Sequence, residues 1–200
     1  MKPDYDAMKK KDNELKRLAL SKIPDDSSTD KNLLIDRLFD SYVQISAPMN
    51  PPIEIRMITM DSMGRDGARS RKPGNIILNL RKLLQIVPDI TITAAGVTGP
   101  TWLLPFIALH IWNKLWTGSK VDLDQKHAVT ICALWKNRNN ENKISEEAGF
   151  EKANLIFQQL KLPVLSKSEY TQIINDFLYL NCIEIEEGII WLREWVRVSY

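Results

Sequence analysis

The stretch "SKSEYTQIINDFLYLN" (166–181) followed by "CIEIEEGIIWLREWVRV" (182–198) decides how the chain is read. Tyr170, Ile173, Ile174, Phe177 and Leu178 recur at helical spacing behind Ser166, with Glu169 three residues on, so the first segment predicts an amphipathic helix with a capping signal. In the second, Ile183 and Ile185 alternate with Glu184 and Glu186, Glu187-Gly188 makes a tight turn, and a further strand runs toward residue 198.

Two helical patterns precede this pair. "LDQKHAVTICALWKNR" puts Ala128, Ile131, Cys132 and Trp135 on one face, and "ISEEAGFEKANLIFQQL" lines up Phe150, Ala153, Phe157 and Leu160 before Pro163 ends it. Three helices and then a β-hairpin is the order of elements in a winged helix. Over about residues 121–200 the chain resembles the winged helix-turn-helix superfamily in pattern and topology, without a diagnostic motif. Its connection "KLPVLS" is longer than the tight turn of DNA-binding members.

The resemblance implies a recognition helix at 166–181 and a wing at Glu187-Gly188, with Ser168, Thr171, Gln172, Asn175 and Tyr179 on the exposed helix face. Gln172 and Asn175 suit adenine edges. The charges point elsewhere. From Ser166 to Gly188, Lys167 stands alone against Glu169, Asp176, Glu184, Glu186 and Glu187, and phosphate contacts need cations where these acids lie. Arg193 and Arg197 are the nearby compensation. Contact with a protein partner, or with a second copy of the chain, is therefore expected ahead of DNA.

Upstream, "GPTWLLPFIALHIWNKLW" (99–116) is the most apolar run, and His110 is the sole ionisable side chain between Asp89 and Lys114. The window Ile90–Trp112 is long enough to span a bilayer. Its nine Leu, Ile, Phe and Val residues favour insertion by roughly 3–5 kcal/mol. Four threonines, two prolines and two glycines oppose this, and Asn113-Lys114 enter before the last turn. A buried helix from about Pro100 to Thr117, capped by Thr98 or Gly99, is the preferred reading, with Trp102, Phe106, Leu109 and Trp116 covered by protein. Membrane association through residues 90–116 is the alternative.

Residues 1–30 read as a polar segment in which Leu15, Leu18 and Leu20 suggest a short helix. "KNLLIDRLFDSYVQI" predicts a helix from Lys31 with Asp30 as N-cap, broken by "APMNPP" at 47–52. "IEIRMITM" (53–60) reads as a strand, "NIILNLRKLLQIV" (75–87) as a helix whose first half also suits a strand, and "ITITAAGV" (90–97) as a strand. The expected architecture is α+β: the polar segment 1–30, a basic α/β module with a short strand pair at 31–98, a long apolar connecting helix at 99–120, and the winged-helix-like part at 121–200.

Charge divides along the same line. Residues 1–120 hold 18 Lys and Arg against 13 Asp and Glu, and residues 121–200 hold 9 against 12. In the basic half, "MGRDGARSRKPGN" places Arg65, Arg69, Arg71 and Lys72 among three glycines, a candidate loop for an anion or an acidic partner. It lacks the Walker A and dinucleotide-binding patterns.

No catalytic constellation emerges. His110 and His127 have no cysteine or carboxylate at metal-ligand spacing on their own segments, His127 and Cys132 being five apart, so both read as structural and no metal or cofactor is expected. Cys132 and Cys182 read as buried thiols, and the six tryptophans as core anchors. The charged N-terminus has no apolar signal region, so a cytoplasmic setting is expected. Together these features predict a non-enzymatic adaptor or regulator, with no small-molecule substrate. A DNA-binding regulator and a membrane-associated sensor are the alternatives.

Overall fold

A computed structural model describes residues 2–23, 30–50, 72–85 and 102–200, and the backbone of 91–94 and 97–100. The expected strand at 53–60 lies outside these residues. The chain is α+β, with helices α1 (Tyr5–Leu20), α2 (Lys31–Tyr42), α3 (Leu80–Leu84), α4 (Leu103–Thr117), α5 (Gln125–Asn137), α6 (Glu146–Gln159) and α7 (Lys167–Tyr179). Strands β1 (Lys2–Pro3), β2 (Val43–Ser46), β3 (Met49–Asn50), β4 (Asn75–Leu78), β5 (Thr91–Ala94) and β6 (Val97–Pro100) belong to the first half. Strands β7 (Lys143–Ser145), β8 (Ile183–Glu186), β9 (Ile189–Leu192) and β10 (Val196–Ser199) belong to the second.

Local chemistry starts the helices where side chains satisfy their free amides. Asp30 accepts from the amides of Asn32 and Leu33 and opens α2. Ser145 opens α6, and Ser166 with Glu169 forms a reciprocal capping box on α7. α2 ends at Tyr42, earlier than expected, because Val43–Ser46 pairs with β4 instead of continuing the helix. Likewise Asn75–Leu78 is a strand, and only Leu80–Leu84 is helical. α1 is a full 16 residues rather than a short helix, started by Asp4 and tied to the core through Leu15 and Ala19.

α4 is the centre of the molecule. It packs against α1, α2, α3 and α5, and nine of its fifteen residues are buried. It is shorter than the long connecting helix expected. Residues 97–100 pair with 91–94 as a hairpin, so the helix starts at Leu103, and Trp102 at its N-cap makes no side-chain cap bond. At its other end, buried Asn113 donates to the Val121 carbonyl at 2.6 Å, and Gly118 turns out of the helix at φ 77°. Among the described residues no helix is long and apolar enough to cross a membrane. Of the four side chains expected to be covered, Leu109 is buried, Trp102 and Phe106 are half-buried, and Trp116 is 43% exposed.

The second half follows the order α5, β7, α6, α7, β8, β9, with an antiparallel sheet in the order β7-β9-β8. Tyr170, Ile173, Ile174 and Phe177 of α7 are buried, whereas Leu178 is exposed. Ile144, Ile190 and Ile185 lie side by side on the three strands, Ile144 buried and Ile190 fully so. Glu187 and Gly188 both have positive φ, as the two-residue turn between β8 and β9 requires. The final strand does not run on from Ile189. The chain breaks at Arg193–Trp195, and β10 leaves for a different sheet, β10-β4-β2, pairing Val196 with Leu78 and Ser199 with Asn75. Gly74 makes that closure possible: a Cβ there would stand 2.5 Å from the Ser46 carbonyl and 2.6 Å from the Tyr200 ring. One buried apolar cluster extends from Leu15 to Val196.

Candidate interaction surface

Ser168, Thr171, Gln172, Asn175 and Tyr179 all lie on the exposed side of α7. Two of them are already engaged. The Thr171 hydroxyl donates to the Lys167 carbonyl at 2.9 Å, and the Gln172 amide donates to Asp176 Oδ1 at 3.0 Å. Tyr179 is 53% exposed and sits at the end of the helix, where its carbonyl accepts the Trp116 indole N–H at 3.1 Å. Trp116 in turn stacks on buried Trp112, with ring centroids 5.5 Å apart.

Acids on α7 serve as fasteners to α5. His127 is buried, with Nδ1 2.7 Å from Asp124 Oδ1 and Nε2 3.1 Å from Asp176 Oδ2. Asp124, three residues before His127 in the same segment, is a carboxylate at helical spacing, so the expectation that His127 has none there is corrected. It is the N-cap of α5, and the histidine completes its capping box. Beside this clasp Lys126 and Glu169 are paired at 2.5 Å. The bond from Lys126, with those from Ser166, holds the Glu169 carboxyl down at about 2.

The solvent face of the small sheet carries one rung of Lys143, Trp191 and Glu184 in register. The Lys143 ammonium lies 3.9 Å from the Trp191 ring centroid, and Arg193 is paired with Glu184. Arg197, on β10, donates to the Asn75 side chain in the other sheet, so it does not supplement the wing. The tryptophans divide by role: Trp112 and Trp135 are core anchors, whereas Trp116, Trp191 and Trp195 are exposed.

Between α6 and α7 lies a cleft of about 500 Å³, lined by the first turns of both helices. Phe150 stands edge-on to Tyr170 there, with centroids 5.3 Å apart. Tyr170 is only 3% exposed, and its hydroxyl has no hydrogen-bond partner among the described residues, an omission that typically costs roughly 1–3 kcal/mol. The hydroxyl rests where a Cβ on Gly149 would come within 2.4 Å. Burial and the Glu146 charge both push its pKa up. Nothing in the sequence pattern announces the cleft, because its walls meet only through the packing of α6 on α7.

Of the basic loop, Arg65, Arg69 and Arg71 lie outside the described residues, and Lys72 forms a two-way backbone bridge with Met49. His110 is half-buried against Phe106, with burial and then the Lys22 charge lowering its pKa to about 4. Cys132 and Cys182 are buried free thiols, both with pKa raised by burial, Cys182 to about 12. Among the described residues no three His, Cys, Asp or Glu side chains are grouped to hold a metal ion. Comparison with protein-family models, with curated proteins and with solved structures finds no match.

Proposed function

We propose that residues 121–200 form a winged-helix-like unit whose exposed surfaces contact a protein partner, making the chain a non-enzymatic adaptor or regulator. The order α5, β7, α6, α7, β8, β9 with its three-stranded sheet supports the winged-helix reading. The observation that carries the choice of partner is electrostatic. Lys167 is the one cation of α7 and the β8–β9 hairpin, against Glu169, Asp176, Glu184, Glu186 and Glu187. A duplex would meet carboxylates where its phosphates need Lys and Arg. Trp116 and Tyr179, exposed together at the end of α7, suit a protein surface. His127 is held between two aspartates, and both thiols lie in the core. Unpaired buried thiols also fit a cytoplasmic setting.

The second reading, a DNA-binding regulator, draws on the exposure of Asn175 and Gln172 at the surface of α7. Two measurements separate the readings. Fluorescence anisotropy with duplex DNA at low salt is expected to show no binding. Binding that weakens in the variant Gln172→Ala/Asn175→Ala would move the assignment to DNA. Cross-linking in cells is expected to join the chain to a protein, or to its own copy, and Tyr179→Asp is expected to abolish that product.

A further inference from the structure

The two outer edges of the small sheet β7-β9-β8 are finished differently. The Arg193 amide donates to the Cys182 carbonyl at 3.1 Å, which makes these two a bonded pair at the end of the β8–β9 ladder. Bonded pairs recur at every second residue of an antiparallel ladder, so Glu184 with Trp191 and Glu186 with Ile189 are the next two. The amides and carbonyls of Ile183 and Ile185 therefore point away from β9, and no described residue takes them up. On β7 the chain closes the corresponding edge itself. The Lys143 amide donates to the Asn139 side chain at 2.9 Å, and the Lys143 carbonyl accepts from the Asn139 amide at 2.9 Å.

Side-chain burial repeats this asymmetry independently. In the row Ile144, Ile190, Ile185, the residue at the closed edge is 7% exposed and the central one 0%. Ile185, at the open edge, is left half-buried. The row is one strand short. On the opposite face Glu184 ends the rung that Lys143 begins, and Glu186 is exposed two residues along the same edge.

From these features we infer that β8 takes a fourth strand from a partner protein, an extended segment that alternates apolar and basic residues and runs antiparallel to β8. Its apolar residues stand opposite Ile183 and Ile185, where their backbone completes the ladder and their side chains cover Ile185. Its lysines or arginines then fall opposite Glu184 and Glu186. A second copy of β8 suits the edge poorly. The register that pairs Ile183 of one copy with Ile185 of the other sets Glu184 directly opposite Glu184, and like charges so placed are destabilising. The inference deepens the reading of residues 121–200 as a protein-contact unit and rests on it.

The test uses the full chain, isotopically labelled, titrated with a blocked seven-residue peptide alternating lysine with valine. A second peptide is N-methylated on its valine amides, which face β8, and a third on its lysine amides, which face away. A fourth carries glutamate in place of lysine. The first and third are expected to shift the amides of residues 183–186 saturably and to slow hydrogen exchange at Ile183 and Ile185 about tenfold. The second and fourth are expected to do neither. Glu186→Lys is expected to weaken binding about threefold, the scale of an exposed cross-strand charge pair. Ile185→Pro removes an outward amide without breaking a bond of the ladder and is expected to abolish binding. The methylated pair decides the question whatever that variant does to folding. No saturable shift, equal binding by the peptide methylated on valine, or shifts away from residues 183–186 would overturn the inference. Dilution-dependent shifts at Ile183 and Ile185 in the chain alone would assign the edge to a second copy and overturn it too. If every peptide fails while Tyr179→Asp still abolishes the cross-linked product, the strand assignment falls and the contact unit stands.

Discussion

The indole N–H of Trp112 donates to the backbone carbonyl of Leu180 at 2.6 Å, joining the central helix α4 to the end of α7 across 68 residues of sequence. Both residues are fully buried, so the bond is sheltered from water and sets how α7 is held against the core. The neighbouring bond from Trp116 to Tyr179 repeats the connection at the surface.

Trp112→Phe removes the donor, leaves the Leu180 carbonyl with only the weak Cys182 thiol donor at 3.7 Å, and opens a cavity. A loss of about 2–4 kcal/mol is expected. Urea unfolding followed by tryptophan fluorescence measures it, and a loss below 1 kcal/mol would mean that water or a side chain replaces the bond.

Gly149→Ala places a methyl 2.4 Å from the Tyr170 hydroxyl and 2.9 Å from Leu134. Overpacking of this kind costs about 1–3 kcal/mol. Because the nearest atom is the hydroxyl oxygen, Tyr170→Phe in the Gly149→Ala background is expected to restore part of the loss. A double-mutant cycle reads this as positive coupling, and strict additivity would show that Leu134 sets the cost.

Asp176→Asn weakens the clasp of His127 and changes the acceptor offered to Gln172. Stability is expected to fall by roughly 1–2 kcal/mol. Hydrogen exchange should rise in α5 and α7 together; a rise in α7 alone would show that His127 is held by Asp124 without help from Asp176.

His110 has its pKa lowered from the ordinary 6.5 to about 4 by burial. Between those values the unfolded chain binds a proton that the folded chain refuses, so this group makes stability fall as pH drops from about 6.5 to about 4. His110→Leu is expected to flatten that part of the profile, measured as the urea midpoint at several pH values. Glu169 acts lower. Its carboxyl is held at about 2, so its contribution is present above the ordinary carboxylate range and is lost as pH falls toward 2.

Patterns fixed by neighbouring residues were legible in the sequence. Asp30 and Ser166 announce helix starts because capping is a contact over two or three residues. The apolar spacing of α5, α6 and α7 marks buried faces for the same local reason. What escaped is non-local. β7 is three residues, Lys143–Ser145, with no pattern of its own, and becomes a strand by pairing with β9. β10 continues the apparent run from β9 until its partner proves to be β4. α1 is polar along most of its length, and Leu15 and Ala19, with half-buried Leu18 beside them, hold it in the core. Of the surface, the exposed residues of α7 could be named in advance, but the clasp at His127 and the cleft at Tyr170 depend on side chains brought together from different helices.

The crossing of β10 into the sheet of the first half has a consequence for synthesis. β4 (Asn75–Leu78) pairs along one edge with β2 (Val43–Ser46), which precedes it in the chain, yet its other edge waits for residues 196–199. While the ribosome is still translating α5 to α7, that edge stays bare, with Ile76 and Leu78 beside it and its amides and carbonyls free to recruit a foreign strand. The sheet β10-β4-β2 is therefore complete only when residues 196–199 are in place, so the first half cannot finish folding without the last strand of the second.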